Sequence, residues 1–158
     1  MSIRSKEIWM DGKWVPYDEA NIHILSHTLH YGLGLFEGIR AYTQADGSGA
    51  VFRLDDHLSR LFDSAKMCRI EIPFTQDELR SACLETLSRN NMTEAYIRPL
   101  VYLGSNAMGL GARNNPVRVA IAVWNWGAYL GEEGMTKGIR ACTSSFARHT
   151  VGSTLQRA

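Results

Sequence analysis

The sequence predicts an α+β domain in which a mixed or antiparallel sheet is covered by two helices. Three observations support this fold class. Apolar and β-branched runs separated by turn residues occupy both ends of the chain, over 8–15, 39–54, 95–103, 117–124 and 139–144. Two stretches of helical periodicity lie together between them. The two kinds of segment are grouped and do not alternate, so the parallel sheet of a Rossmann fold is not expected.

Taken in order, Ile8-Trp9-Met10 and Trp14-Val15 flank Asp11-Gly12-Lys13. An Asp-Gly pair tolerates the positive φ of a two-residue turn, so the chain opens with a hairpin. Trp9 and Trp14 read as its core packing. The alternation Asn21-Ile22-His23-Ile24 places His23 on a strand with a hydrogen bond. A second hairpin pairs 39–43 with 50–54 across Ala45-Asp46-Gly47-Ser48-Gly49. From Asp55 the period lengthens: Leu58, Leu61, Phe62 and Ala65 make one helical face, and Asp55 and Asp56 fall where the helix dipole favours acids. Thr75-x-x-Glu78 is a capping-box pattern; Leu79, Ala82, Cys83, Thr86 and Leu87 line the next helix, which ends at Arg89-Asn90-Asn91. Strands return over 95–103, 117–124 and 139–144. The expected boundary follows Phe146, giving an N-terminal domain over 1–146. Residues 147–158 then form an interdomain loop and the start of a second domain.

A net charge of +1 with intermixed signs gives no field to hold nucleic acid or an anionic membrane. The first residues, MSIRSKEIWMDGKW, have no apolar run behind their charges, and no stretch approaches the roughly 18 apolar residues of a spanning helix. Cys68, Cys83 and Cys142 are widely spaced without a C-x-x-C pair, which suits small apolar roles in a reducing, cytoplasmic setting. His27 and His30 lack partners with metal-ligand spacing, so no metal site is expected, and His57 reads as a surface or cap residue.

The densest candidate for chemistry is HTLHYGLGLFEGIRAY, residues 27–42. Gly32, Gly34 and Gly38 miss the spacing of a dinucleotide loop and read as turn glycines. Arg98 sits within Tyr96-Ile97-Arg98-Pro99-Leu100, where an unpaired charge is costly, so it requires an anionic partner. Glu37 and a ligand carboxylate are equally open choices for that partner. Arg60 lies off the apolar stripe of its helix and reads equally as a solvated residue. Arg40 alternates with Ile39 and Ala41 and can face either side. Trp124 and Trp126 flank Asn125 at a strand end, where side chains commonly wall sites. No Ser-His-Asp or Cys-His spacing is recognisable.

In their order and spacing, HYGLGLFEGIRAY, FRLDDHLSRLFDSAK, AYIRPLVYLG, MGLG and WNWGAYLG resemble the fold-type IV pyridoxal-phosphate (PLP) aminotransferases, and FEGIR and YIRP resemble their branched-chain group. The resemblance implies the smaller N-terminal domain of such an enzyme. It implies that Arg60 grips the PLP phosphate, that Phe36, Gly38 and Arg40 form the inner wall of the substrate pocket, and that Tyr96 and Arg98 meet substrate carboxylates. Trp126 and Tyr129 would cover the apolar side chain. Tyr31 and the Met108/Leu110 loop would reach the neighbouring subunit's site, making a homodimer or higher homo-oligomer the complete unit. The implied reaction is ping-pong transfer of the amino group of leucine, isoleucine or valine to 2-oxoglutarate, giving 2-oxo acids and glutamate. Lys6, Lys13, Lys66 and Lys137 lack the context of the catalytic Schiff-base lysine, which is expected directly after Ala158. Two rivals accompany this expectation: a D-amino-acid transaminase or PLP lyase on the same fold, and a non-catalytic ligand-binding domain.

Overall fold

Asp11 and Gly12 adopt φ of 48° and 89°, the doubly positive turn whose twist matches that of paired strands. β1 (Glu7–Met10) therefore folds back on β2 (Lys13–Pro16), with Met10 opposite Lys13. These elements belong to a computed structural model that describes residues 4–127 and 131–146. The remaining strands and α-helices are α1 (His27–Tyr31), β3 (Gly34–Phe36), β4 (Ile39–Thr43), β5 (Gly49–Val51), α2 (Leu54–Met67), α3 (Gln76–Arg89), β6 (Ala95–Leu103), β7 (Val117–Trp124) and α4 (Gly131–Lys137). The strands form one sheet in the order β2-β1-β7-β6-β4-β5, with β3 also paired to β6. Every pairing is antiparallel, which selects the antiparallel form of the expected sheet.

The pleat gives this sheet two different faces. Along β6, Ala95, Ile97, Pro99 and Val101 are buried, while Tyr96, Arg98 and Leu100 between them are only partly so. β7 repeats the pattern with Val119, Ile121 and Val123 fully buried. These aliphatic side chains join Leu58 and Leu61 of α2 and Leu79 and Cys83 of α3 in a single core. Burying each such side chain contributes about 1.5–3 kcal/mol. The two helices therefore seal one face, and the other is left to aromatic and basic residues. Burial pushes the Cys83 thiol up to about 12, consistent with a packing role. Among the described residues no helix is long and apolar enough to cross a membrane.

Four expectations change. The strand foreseen over 50–54 ends at Val51, because Arg53 turns to φ 50° and Leu54 becomes the first, buried residue of α2. His23 lies just before a turn at Ile24–Leu25 and not on a strand; Ile22 and Ile24 are both exposed, so the alternation has no core to face. Its ring does make a hydrogen bond, Nδ1 accepting from the Leu25 amide at 3.1 Å. Residues 139–144 form no strand, and Ile139 is exposed, with no described strand paired beside it. The short elements α1, β3 and α4 are additional. The boundary expected after Phe146 lies at the limit of the described residues, and 147–158 are outside them.

α3 begins with the reciprocal capping box: the Glu78 amide donates to Thr75 Oγ1 (3.2 Å), and the Thr75 amide donates to the Glu78 carboxylate (2.7 Å). Its other end is tied to the sheet. Buried Asn90 accepts from the amides of Lys6 (2.6 Å) and Glu7 (3.1 Å) and donates to the carbonyls of Glu7 (2.9 Å) and Thr86 (2.7 Å). Thr75→Ala is expected to cost about 1 kcal/mol, an ordinary cap loss. Asn90→Ala strands several backbone groups at once and is expected to cost more, about 2–3 kcal/mol. Urea unfolding of both variants checks this; equal midpoints would contradict the role assigned to Asn90.

Candidate active site

The site begins at an interruption in a strand. β3 and β4 pair with β6 in one continuous register, Phe36 opposite Leu100 and Ile39 opposite Ile97. Glu37 and Gly38 therefore fall opposite Pro99 and Arg98. Proline has no N–H to donate, so the ladder lapses there, although the Glu37 amide still donates to the Pro99 carbonyl at 3.1 Å. Alternation then sorts the side chains: Phe36, Gly38 and Arg40 share the open face with Tyr96 and Arg98, and Glu37 points to the helix side.

On the open face, the Arg98 guanidinium lies over the rings of Phe36 (4.3 Å), Tyr96 (5.2 Å) and Trp124 (5.8 Å). Arg98 Nη2 donates to the Tyr96 hydroxyl at 3.0 Å, which leaves the Tyr96 proton free to be donated onward. Tyr96 also packs against Trp126 (4.5 Å) and Trp124 (5.0 Å). Gly38 is required beneath it: an added Cβ would sit 2.2 Å from the Tyr96 hydroxyl oxygen. Arg98 Nε is buried without a hydrogen-bond partner, as is Arg40 Nε. Among the described residues no carboxylate pairs with either arginine. Cationic donors can attract and orient anionic oxygens, and the rings around them restrict water near the charge.

Glu37, one of the two candidate partners of Arg98, is engaged elsewhere. Its buried carboxylate receives Arg60 Nε on Oε1 and Arg60 Nη2 on Oε2, both at 2.6 Å, and His57 Nδ1 on Oε2 at 2.9 Å. Burial raises its pKa, but the hydrogen bonds and charges of Arg60 and His57 outweigh burial and hold the carboxyl below its usual range. Arg60 is in turn raised, first by its hydrogen bonds to Glu37 and then by that negative charge. His57 is thus neither a cap nor a free surface residue. Its spacing of three from Arg60 puts both on one face of α2, a signal available in the sequence but not used. The Arg60 side chain as a whole remains largely exposed.

A third group lies on α1 and the loop before β7. The Tyr31 hydroxyl accepts from the Gly109 amide (2.9 Å), and His27 Nε2 contacts the Gly109 carbonyl (2.7 Å) while its ring stacks on Tyr31. Met108 and Leu110 flank this anchor and are exposed. The structure thus gathers Phe36, Gly38, Arg40, Tyr96, Arg98 and Trp126 on one face, places Arg60 across the strand, and sets Tyr31 beside the loop of Met108 and Leu110. Tyr129 lies outside the described residues. Among those described, no group of three His, Cys, Asp or Glu side chains could hold a metal ion.

Known proteins resemble this chain in sequence and fold. The branched-chain-amino-acid aminotransferase of Pseudomonas aeruginosa is 49% identical over 158 residues, covering all of this chain and 51% of that protein. Its counterpart in Escherichia coli K12 is 44% identical over 142 residues, 89% of this chain and 46% of that one. The crystal structure of the Escherichia coli branched-chain amino acid aminotransferase superposes with a TM-score of 0.89 at 40% identity, covering 96% of this chain and 50% of that chain. The branched-chain amino acid aminotransferase of Thermoproteus uzoniensis with norvaline superposes with a TM-score of 0.75 at 41% identity, covering 80% and 43%. The chain spans about half the length of the curated relatives it matches. Residues 34–158 match the family described as amino-transferase class IV, and the chain belongs to that family.

Proposed function

We propose that this chain is the pocket-wall and phosphate-gripping part of a PLP-dependent transaminase that moves the amino group of leucine, isoleucine or valine to 2-oxoglutarate. The observation that carries the reading is Arg98: a cation among rings, bonded to Tyr96, with its Nε buried and unpartnered. Such a group stabilises an incoming carboxylate at little cost in reorganisation. The relatives' names supply the substrate class, and the donor set here suits it.

Bound PLP supplies the electron sink for withdrawing the bonding pair at the substrate's α-carbon. Arg60 holds the phosphate through its outer N–H edge. Arg98 and the Tyr96 hydroxyl receive a carboxylate on the open face, with Arg40 adding positive charge beside them. Phe36, Tyr31, Trp126 and Tyr129 cover an aliphatic side chain, each buried methylene contributing about 0.8 kcal/mol. The imine-forming lysine is assigned to the length that the relatives have beyond this match. The exposed apolar cluster of Leu29, Tyr31, Leu33, Met108 and Leu110 supports a homodimer in which Tyr31 and the Met108/Leu110 loop serve the neighbouring site. Three cysteines without disulfides accord with a cytoplasmic setting.

The full-length enzyme is expected to convert L-leucine and 2-oxoglutarate to 4-methyl-2-oxopentanoate and glutamate; turnover of D-leucine alone in a coupled glutamate assay would sink the assignment. Arg98→Leu removes a charged hydrogen bond worth about 1.5–3 kcal/mol, so KM for 2-oxoglutarate is expected to rise about 10- to 100-fold. The half-reaction with leucine should fall less, a difference that stopped-flow absorbance resolves. Gly38→Ala should displace the Tyr96 ring and reproduce the Arg98→Leu pattern more weakly, with a stability loss of about 1–3 kcal/mol from overpacking. Wild-type kinetics in Gly38→Ala would refute the contact.

A further inference from the structure

We infer that Glu37, supported by His57, is a positioning residue that fixes the Arg60 guanidinium so that its outer edge faces a phosphate. The inference rests on the reading of Arg60 as the phosphate grip and concerns how that grip is built. Arg60 projects from α2 with a side chain 60% exposed, whereas the Glu37 carboxylate is 7% exposed. Alone, a long exposed side chain would sample many rotamers and lose that freedom each time it bound an anion. Two parallel bonds of 2.6 Å from Nε and Nη2 to the two carboxylate oxygens remove that freedom beforehand. They also consume the inner edge of the guanidinium, so only the N–H groups on the outer edge remain available.

His57 completes the device. A carboxylate oxygen cannot donate, so the 2.9 Å contact requires the His57 proton on Nδ1. The 3.1 Å approach of Arg60 Nη2 to the same nitrogen then reflects two donors converging on one oxygen, Oε2. Three donors on a single carboxylate leave Glu37 little room to rotate. The carboxylate also offsets part of the Arg60 charge, so its net benefit depends on positioning outweighing neutralisation, and the bidentate geometry favours positioning.

Pyridoxal lacks the phosphate of PLP and separates this role from a general structural one. Both ligands are titrated by fluorescence into the full-length apoenzyme, and the ratio of their Kd values measures the phosphate's contribution. Glu37→Gln sets an amide N–H against the Arg60 and His57 donors. It is expected to weaken PLP binding about tenfold, or 1.4 kcal/mol, with pyridoxal unchanged. Arg60→Ala should reduce the ratio further, and adding Glu37→Gln to Arg60→Ala should change nothing more. Equal weakening of both ligands by Glu37→Gln, no weakening of either, or additivity with Arg60→Ala would overturn the inference. An unchanged ratio in Arg60→Ala would instead remove the phosphate reading itself, and this inference with it. Should Glu37→Gln not fold, His57→Phe deletes only the third bond and is expected to lower the ratio about threefold; no change there would equally overturn the role assigned to Glu37.

Discussion

Arg98 places its guanidinium on a sheet face among the rings of Phe36, Tyr96 and Trp124. A cation so placed is tolerable only if the rest of the molecule keeps it rigid and leaves a route for an anion to approach. Much of the fold serves those two conditions. The reverse face of the same strand is filled with Ile97, Pro99 and Val101 against α2 and α3, so β6 cannot rotate to hide the charge. The open face carries small residues opposite it, with Ala122 paired to Arg98 and Ala120 to Leu100. The guanidinium is therefore held above the sheet and not buried within it.

The interruption at Pro99 connects this charge to the other one. Because Pro99 cannot donate, the strand partner relaxes at Glu37 and Gly38, and two adjacent residues acquire unlike tasks. Gly38 clears the space occupied by the Tyr96 hydroxyl, and Glu37 turns the opposite way to meet Arg60 and His57. A side chain at 38 or an amide donor at 99 would disturb both neighbourhoods together. The couple explains why a glutamate, costly to bury, stands in the middle of this sheet: both of its oxygens are hydrogen-bonded.

What was legible in the sequence follows from where local chemistry and global packing agree. Asp11-Gly12 determines its turn by backbone conformation alone. The Thr75/Glu78 box and the apolar stripe from Leu79 to Leu87 describe α3 because cap and face coincide. β6 and β7 alternate as half-buried strands should. The failures arise where a local pattern lacks the tertiary partner it assumes. Ile22-His23-Ile24 alternates with no core beside it, and residues 139–144 pair with no described strand. α1 and β3 are too short for periodicity to register. At the site, the residues that the resemblance implies fall, where they are described, in three places. The Glu37–His57–Arg60 group escaped notice because its members come from two elements and meet only through the strand's alternation.

That alternation also sets the spacing on which the proposed chemistry would rely. Residues 37 and 38 are neighbours, yet one serves the helix side and the other the open side, so the two cationic groups they influence lie on opposite sides of a single strand. Had both arginines risen from one face, one shared anion could have satisfied both. The Glu37 carboxylate beside one and the rings around the other give the two guanidinium groups different surroundings. The division is produced by one proline, one glycine and the period of a β-strand.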